Sequence, residues 1–187
     1  MAYDYLGIVN DVNRRLNEVE LTTANFATAN GEYAMIKDAV NASIRFINQH
    51  EYEWPYNHVT EEETLTAGIV RYTFPSDAKT LNMNSFRIKR NDTLGNETRK
   101  LNVLSYEEYL DSYADVEYNT STSVRQLPTY VFKAPSSEFG LVNPPDKAYE
   151  LVYEYYRLPV DLINSTDVPS IPEQFRYVIV DGAKFAV

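Results

Sequence analysis

The sequence predicts an α+β protein in which an antiparallel, sandwich-like β-domain is inserted into an α-helical bundle domain. Apolar residues recur at helical spacing towards both ends, the apolar period falls to two from about residue 57 to residue 160, and turn-forming residues cluster where the period changes. The helical domain is therefore expected to comprise residues 1–56 and 161–187, and the β-domain residues 57–160 with one short helix.

Tyr5, Val9, Val12, Leu16 and Val19 are spaced four, three, four and three, the single face of an amphipathic helix. The Thr- and Asn-rich stretch LTTANFATANG follows as a connector, because those side chains compete for backbone hydrogen bonds. The next helix, GEYAMIKDAVNASIRFINQHEYEW, carries two apolar stripes: Ile36, Val40, Ile44 and Ile47, and beside them Met35, Ala39, Ala42 and Phe46. So wide a face belongs to a helix at the centre of its domain or one that also meets a neighbouring chain. Trp54-Pro55 is expected to stop it, since proline lacks a donor and drives the preceding residue out of the α region. The last helix is expected to start with a capping box from Ser170 to Glu173. Its stripe of Phe175, Val178, Ile179, Gly182, Phe185 and Ala186 is still apolar at Val187, so its end is expected to dock on something.

Between the helices, Val70, Tyr72 and Phe74 share a strand face, and Phe86 and Ile88 point inwards while Arg87 and Lys89 point outwards. NDTLGNETR reads as a hairpin loop. Further strands are expected at RKLNVLS, TYVFKA, EFGLVNPP and YELVYEYYRLP, interrupted by a short helix capped by Ser105 that presents Tyr106, Tyr109 or Leu110, and Tyr113. The acids Glu61, Glu62 and Glu63 read as a solvated strand edge that discourages unwanted pairing.

Composition excludes several classes of function. With a net charge of −10 the chain is no general phosphate-backbone binder. It has 0 cysteines, hence no disulfide or thiolate metal site, and its only histidines, His50 and His58, have no third ligand type beside them. A nucleophile elbow, a phosphate loop, a dinucleotide fingerprint and a Ca-loop are all missing, and no cofactor is expected. No leader or membrane span is apparent, and assembly in a cytoplasm is expected.

The distinctive feature is 16 tyrosines against 1 tryptophan and 8 phenylalanines. Tyrosine buries a large ring while its hydroxyl tolerates water, which suits subunit contacts, although it also replaces phenylalanine in ordinary strands. In YELVYEYYRLP, Tyr149, Leu151, Tyr153 and Tyr155 form one apolar face for the core. Glu150, Val152, Glu154 and Tyr156 form a mixed face, and Tyr156 and Arg157 are the types in which association energy concentrates. The expected interface set is Ile36, Val40, Phe46, Trp54, Tyr156, Arg157, Phe175, Ile179 and Phe185.

The succession of a leading helix, a longer helix ending in EWPYNHVTEEETLTAGIVRYTFP, the strand region LPTYVFKAPSSEFGLVNPPDKAYELVYEYYRLPVDL and the segment DVPSIPEQFRYVIVDGAKFAV resembles the tail adaptors, or head-to-tail connectors, of tailed bacteriophages. The resemblance spans nearly the whole chain and lies in the combination of Trp-Pro stop, Tyr-Tyr-Arg-x-Pro strand ending and IPEQF helix start. It implies a non-enzymatic virion protein that forms a ring with itself, commonly a dodecamer. Such a ring docks beneath the portal protein and continues the channel to a nozzle or tail-tube protein, with DNA passing through the lumen. An acidic wall would limit phosphate adhesion. Some such adaptors carry a long C-terminal tail; this chain stops at Val187, so its last helix is expected to do the docking.

Two rival readings follow from the same residues. A β-sandwich module binding carbohydrate or a receptor would use Tyr153, Tyr155 or Trp54 as stacking platforms, although Trp54 more naturally plugs a domain hinge. A glycosidase would need paired carboxylates such as Glu107 with Asp111 or Glu150 with Glu154.

Overall fold

The computed structural model describes residues 3–51, 53–92, 95–119 and 121–187. In chain order the elements are α1 (Tyr5–Leu16), α2 (Glu32–His50), β1 (His58–Thr64), β2 (Arg71–Thr73), β3 (Ala78–Asp92), β4 (Gly95–Lys100), β5 (Asn102–Leu104), α3 (Tyr106–Ser112), α4 (Ala114–Tyr118), β6 (Tyr130–Ala134), β7 (Glu138–Val142), β8 (Glu150–Arg157) and α5 (Tyr177–Ala186). Helices and two sheets make the protein α+β. The chain separates into two compact units, one of residues 1–57 with 158–187 and one of residues 58–157.

In the helical unit, the Asp4 side chain accepts from the Gly7 N–H at 2.8 Å and caps α1. The helix ends one turn before the apolar spacing does. Asn17 adopts the left-handed conformation at φ 62°, its N–H meets the Arg14 carbonyl, and the Glu18 N–H reaches the Asn13 carbonyl at 2.8 Å. This six-residue closure turns the chain away, so Val19, expected on the buried stripe, is 74% exposed. On α2 the stripe of Ile36, Val40 and Ile44 is buried against α1 and α5, whereas Met35 and Phe46 of the second stripe face solvent. The helix also stops at His50, with Glu51 already extended, before the Trp-Pro pair is reached. Trp54 instead folds back, donating from Nε1 to the Ile47 carbonyl at 3.0 Å and stacking on Tyr56.

The expected capping box at Ser170 does not form. A 3₁₀ turn spans Glu173–Phe175 and α5 begins at Tyr177, neither with a side-chain cap. The Arg176 guanidinium explains this, because it donates to the carbonyls of Ile171 and Tyr3 at 2.8 Å and of Pro169 at 3.4 Å. Those bonds satisfy the entering chain in a bent, non-helical form, and a helix there would break them. Two helix asparagines do similar work. Asn41 pairs with both backbone groups of Leu162, and Asn10 pairs with both backbone groups of Leu21.

The strand unit holds two four-stranded sheets, ordered β1-β8-β3-β4 and β2-β7-β6-β5. The first is antiparallel throughout; in the second, β5 runs parallel to β6, so that sheet is mixed rather than antiparallel. Alternation decides the faces: Tyr149, Leu151, Tyr153 and Tyr155 are buried, and Val152, Glu154 and Tyr156 are half-exposed. The sheets meet through rings, with Phe86 stacked on Tyr153 at 4.7 Å and edge-on to Phe139 at 5.1 Å. A second cluster forms where α3 lays Tyr109 on Phe132 at 3.8 Å; Tyr109 is buried while Leu110 is exposed. The Phe132 ring covers Gly140 so closely that any side chain at that position would overlap it. The capping box of Ser105 and Glu108 starts α3. The hairpin expected at NDTLGNETR is present, but most of that stretch is strand rather than loop: β3 runs to Asp92 and pairs with β4 from Gly95, and the tip at 93–94 lies outside the described residues.

Candidate functional site

The expected interface residues divide into three groups. Ile36, Val40 and Ile179 are completely buried in the helical unit's own core and present no surface to a partner. Phe46, Phe175 and Phe185 are the opposite, with Phe46 67% and Phe185 92% exposed. Trp54 and Tyr156 are half-buried and Arg157 is exposed. The apolar stripes of α2 and α5 each contain both core and surface, and periodicity alone does not divide them.

Packing of α5 on α2 makes that division. Gly182 sits so close to Ser43 that a methyl there would overlap the hydroxyl, which fixes where the helices touch. On α5, Val178 and Phe185 lie four residues before and three after Gly182, on the same side of the helix. On α2, Met35, Ala42 and Phe46 follow the stripe of Ala39, the row next to Ser43, and all three are exposed. Exposed apolar side chains thus flank the α2/α5 contact on both helices. The segment between β8 and α5 adds Val160 at 78% and Ile163 at 76% exposure, on either side of buried Leu162. Their signal in the sequence is aliphatic residues continuing through a Pro- and Asp-punctuated stretch where no core needs them.

On the strand unit, the outer face of the first sheet carries a row of pairs. The His58 ring stacks on Tyr156 at 4.7 Å with Nε2 3.0 Å from Glu154, and Lys89 bridges to Glu62 and lies 3.9 Å from Glu150. Lys89 holds Glu62 below the usual carboxylate range. Burial, reinforced by Glu61, pushes Glu63 up. Deeper in, Arg71 makes two bonds to Glu117, at 2.8 and 3.1 Å, and Tyr109 donates to the same carboxylate, fastening α4 over β2.

The geometry removes two of the three rival platforms. Tyr153 and Tyr155 are core residues, with Tyr155 donating to Asp77 at 3.0 Å and its hydroxyl pushed up to about 12, by burial first and by that carboxylate second. Of the suggested carboxylate pairs, Glu150 faces Lys89 and Glu154 faces His58, rather than each other across a cleft. Among the described residues no group of His, Cys, Asp and Glu is arranged to hold a metal, and no helix is long and apolar enough to cross a membrane.

Comparison with protein families matches residues 3–186 to the family described as SU10 adaptor protein. The chain belongs to this family. It is therefore a phage adaptor with a structural role in the virion. No curated protein matches it significantly.

Proposed function

We propose that this adaptor forms a ring, a dodecamer, that joins the portal of a filled head to the nozzle or tail tube and continues the DNA channel without catalysing a reaction. The observation that carries this reading is the set of exposed apolar side chains flanking the α2/α5 contact, Phe46 and Phe185 foremost, on a chain whose family is that of adaptors. A solvated surface with several large exposed hydrophobics is one that becomes covered. The same residues give a workable order of assembly, because single contacts too weak to close a ring in solution become cooperative once a template presents several at once. The acidic composition suits a conduit for DNA, since a net charge of −10 per copy disfavours phosphate adhesion.

The test is to add purified protein to its portal ring and to an unrelated oligomer of similar size, with mass photometry and negative-stain imaging as readouts. A uniform added layer on the portal alone is expected. Failure to associate at every ionic strength would overturn the proposal.

A further inference from the structure

We propose that neighbouring copies join edge to edge through the strand unit, the acidic strand β1 of one copy adding to the basic strand β4 of the next, so that the first sheet continues from subunit to subunit. This rests on the ring reading above and names the surface that closes it.

The order β1-β8-β3-β4 leaves β1 and β4 as the two edges of one sheet. Each is long enough to pair, seven and six residues. The other sheet ends in three-residue strands, β2 and β5, which is the short-edge device that discourages pairing. The facing ends of the two long edges carry opposite charge. Strand β1 holds Glu61, Glu62 and Glu63, whereas β4 ends in Arg99 and Lys100, both exposed, with Glu97 two residues before Arg99 and Arg87 paired directly to Lys100.

Direction and face also match. All three pairings in the sheet are antiparallel, so β4 runs opposite to β1. A next copy repeated in the same orientation would therefore present its β1 antiparallel to β4, with the alternation of the sheet unbroken. Lys89 bridges to Glu62 and pairs in register with Thr98, which places Glu62, Thr98 and Lys100 on one face. Arg99 pairs with buried Ile88 and so shares the other face with Glu61 and Glu63. In the register that sets Glu62 against Lys100 and Glu63 against Arg99, each face of the joint would carry base against acid, and Glu97 would fall beyond the end of β1 at Thr64.

Charge also selects among the possible pairings. Two β1 edges would set glutamates against glutamates, destabilising when directly opposed, whereas two β4 edges have only Glu97 to set against Arg99 and Lys100. β1 against β4 meets the two bases with three acids and attracts most. That contact is head-to-tail, the kind that generates a ring when its rotation closes. The acids at 61–63 therefore exclude the wrong strand and admit the right one.

The experiment uses two full-length variants, Glu61→Lys/Glu62→Lys, with both edges basic, and Arg99→Glu/Lys100→Glu, with both edges acidic. Each is first checked for native far-UV circular dichroism. Assembly, alone and on the portal ring, is then followed by native mass spectrometry. Each variant by itself is expected to lose assembly at least about tenfold relative to the unmodified chain, and an equimolar mixture to recover it with the two variants alternating in even-numbered species. Assembly of either variant alone as well as the unmodified chain, or a mixture that stays unassembled, overturns the edge pairing and leaves the ring reading standing. An unmodified chain that never self-associates overturns both. Hydrogen exchange on the unmodified protein gives a second readout independent of the variants: the amides of β1 and β4 are expected to gain protection on assembly, and unchanged exchange at both edges overturns the pairing.

Discussion

Asn41 on α2 holds Leu162, 121 residues further along the chain, by both of its backbone polar groups: Nδ2 donates to the Leu162 carbonyl at 3.0 Å and Oδ1 accepts from its N–H at 2.9 Å. The carboxamide stands in for a neighbouring strand, and Nδ2 also lies 3.2 Å from the Tyr5 hydroxyl. One side chain thereby fixes where the segment entering from β8 lies along α2, with Arg45 and Asp161 forming a two-bond ion pair beside it.

Replacing Asn41 by leucine should cost about 2–4 kcal/mol, because both Leu162 groups lose their partner in a buried setting. Asn41→Asp keeps the acceptor and loses the donor, and should fall between. Urea titration of the three proteins checks the order; an Asn41→Leu protein as stable as the parent would show that Leu162 finds other partners.

The tight contact between Gly182 of α5 and Ser43 of α2 gives a second expectation. Gly182→Ala should destabilise by about 1–3 kcal/mol, as overpacking does, because its methyl would overlap the Ser43 hydroxyl. Ser43→Gly in the same chain should restore most of the loss. A double-mutant cycle by thermal melting reads the coupling, and additive effects would place the strain elsewhere.

These two sites mark the limit of what the sequence discloses. The helical and strand periods are visible because burial selects one face of each element, so the inward set of Phe86, Ile88, Leu151 and Tyr153 could be read directly. Asn10 and Asn41 could not, since an asparagine at an apolar phase signals a buried partner without naming it. Val19 and Ser170 misled for a related reason. Spacing that favours a helix was overruled by a left-handed closure at Asn17 in one case and by Arg176 holding backbone carbonyls in the other. The separation of Ile36 from Phe46 came from α5, whose placement is a tertiary fact.

Asp167 gives a pH dependence with a definite sign. Its carboxylate accepts from the N–H groups of Ile163 and Asn164 at 2.7 Å each, and the Asn164 bond, then the Ile163 bond, hold it below the usual aspartate range. A depressed carboxylate stabilises fully above its unfolded value and loses that contribution as pH falls through the folded one. Thermal melts of the parent should therefore drop more steeply between about pH 5 and pH 2 than those of Asp167→Asn. Parallel curves would remove Asp167 from the acid response.

Phe46→Ser and Phe185→Ser should separate assembly from stability. Both rings are largely exposed, so each change should shift monomer stability by no more than about 0.5 kcal/mol while lowering attachment to the portal ring. Equal attachment by the doubly substituted protein would assign these rings no part in the contact.

The bonds that close the helical unit have a kinetic consequence. Arg15 pairs with Asp181, Arg176 reaches back to Tyr3, and the N–H groups of Tyr5 and Leu6 are satisfied by the carbonyls of Asp167 and Ser165. During synthesis α1 and α2 leave the ribosome without these partners, whereas the strand unit has every residue of its two sheets once Arg157 has emerged. The middle of the chain is thus able to fold while both helices wait, and the helical unit closes last. Until α5 emerges, the part of the α2 stripe that it covers is as open to water as Phe46, so the line between core and surface on α2 is drawn only in the final step.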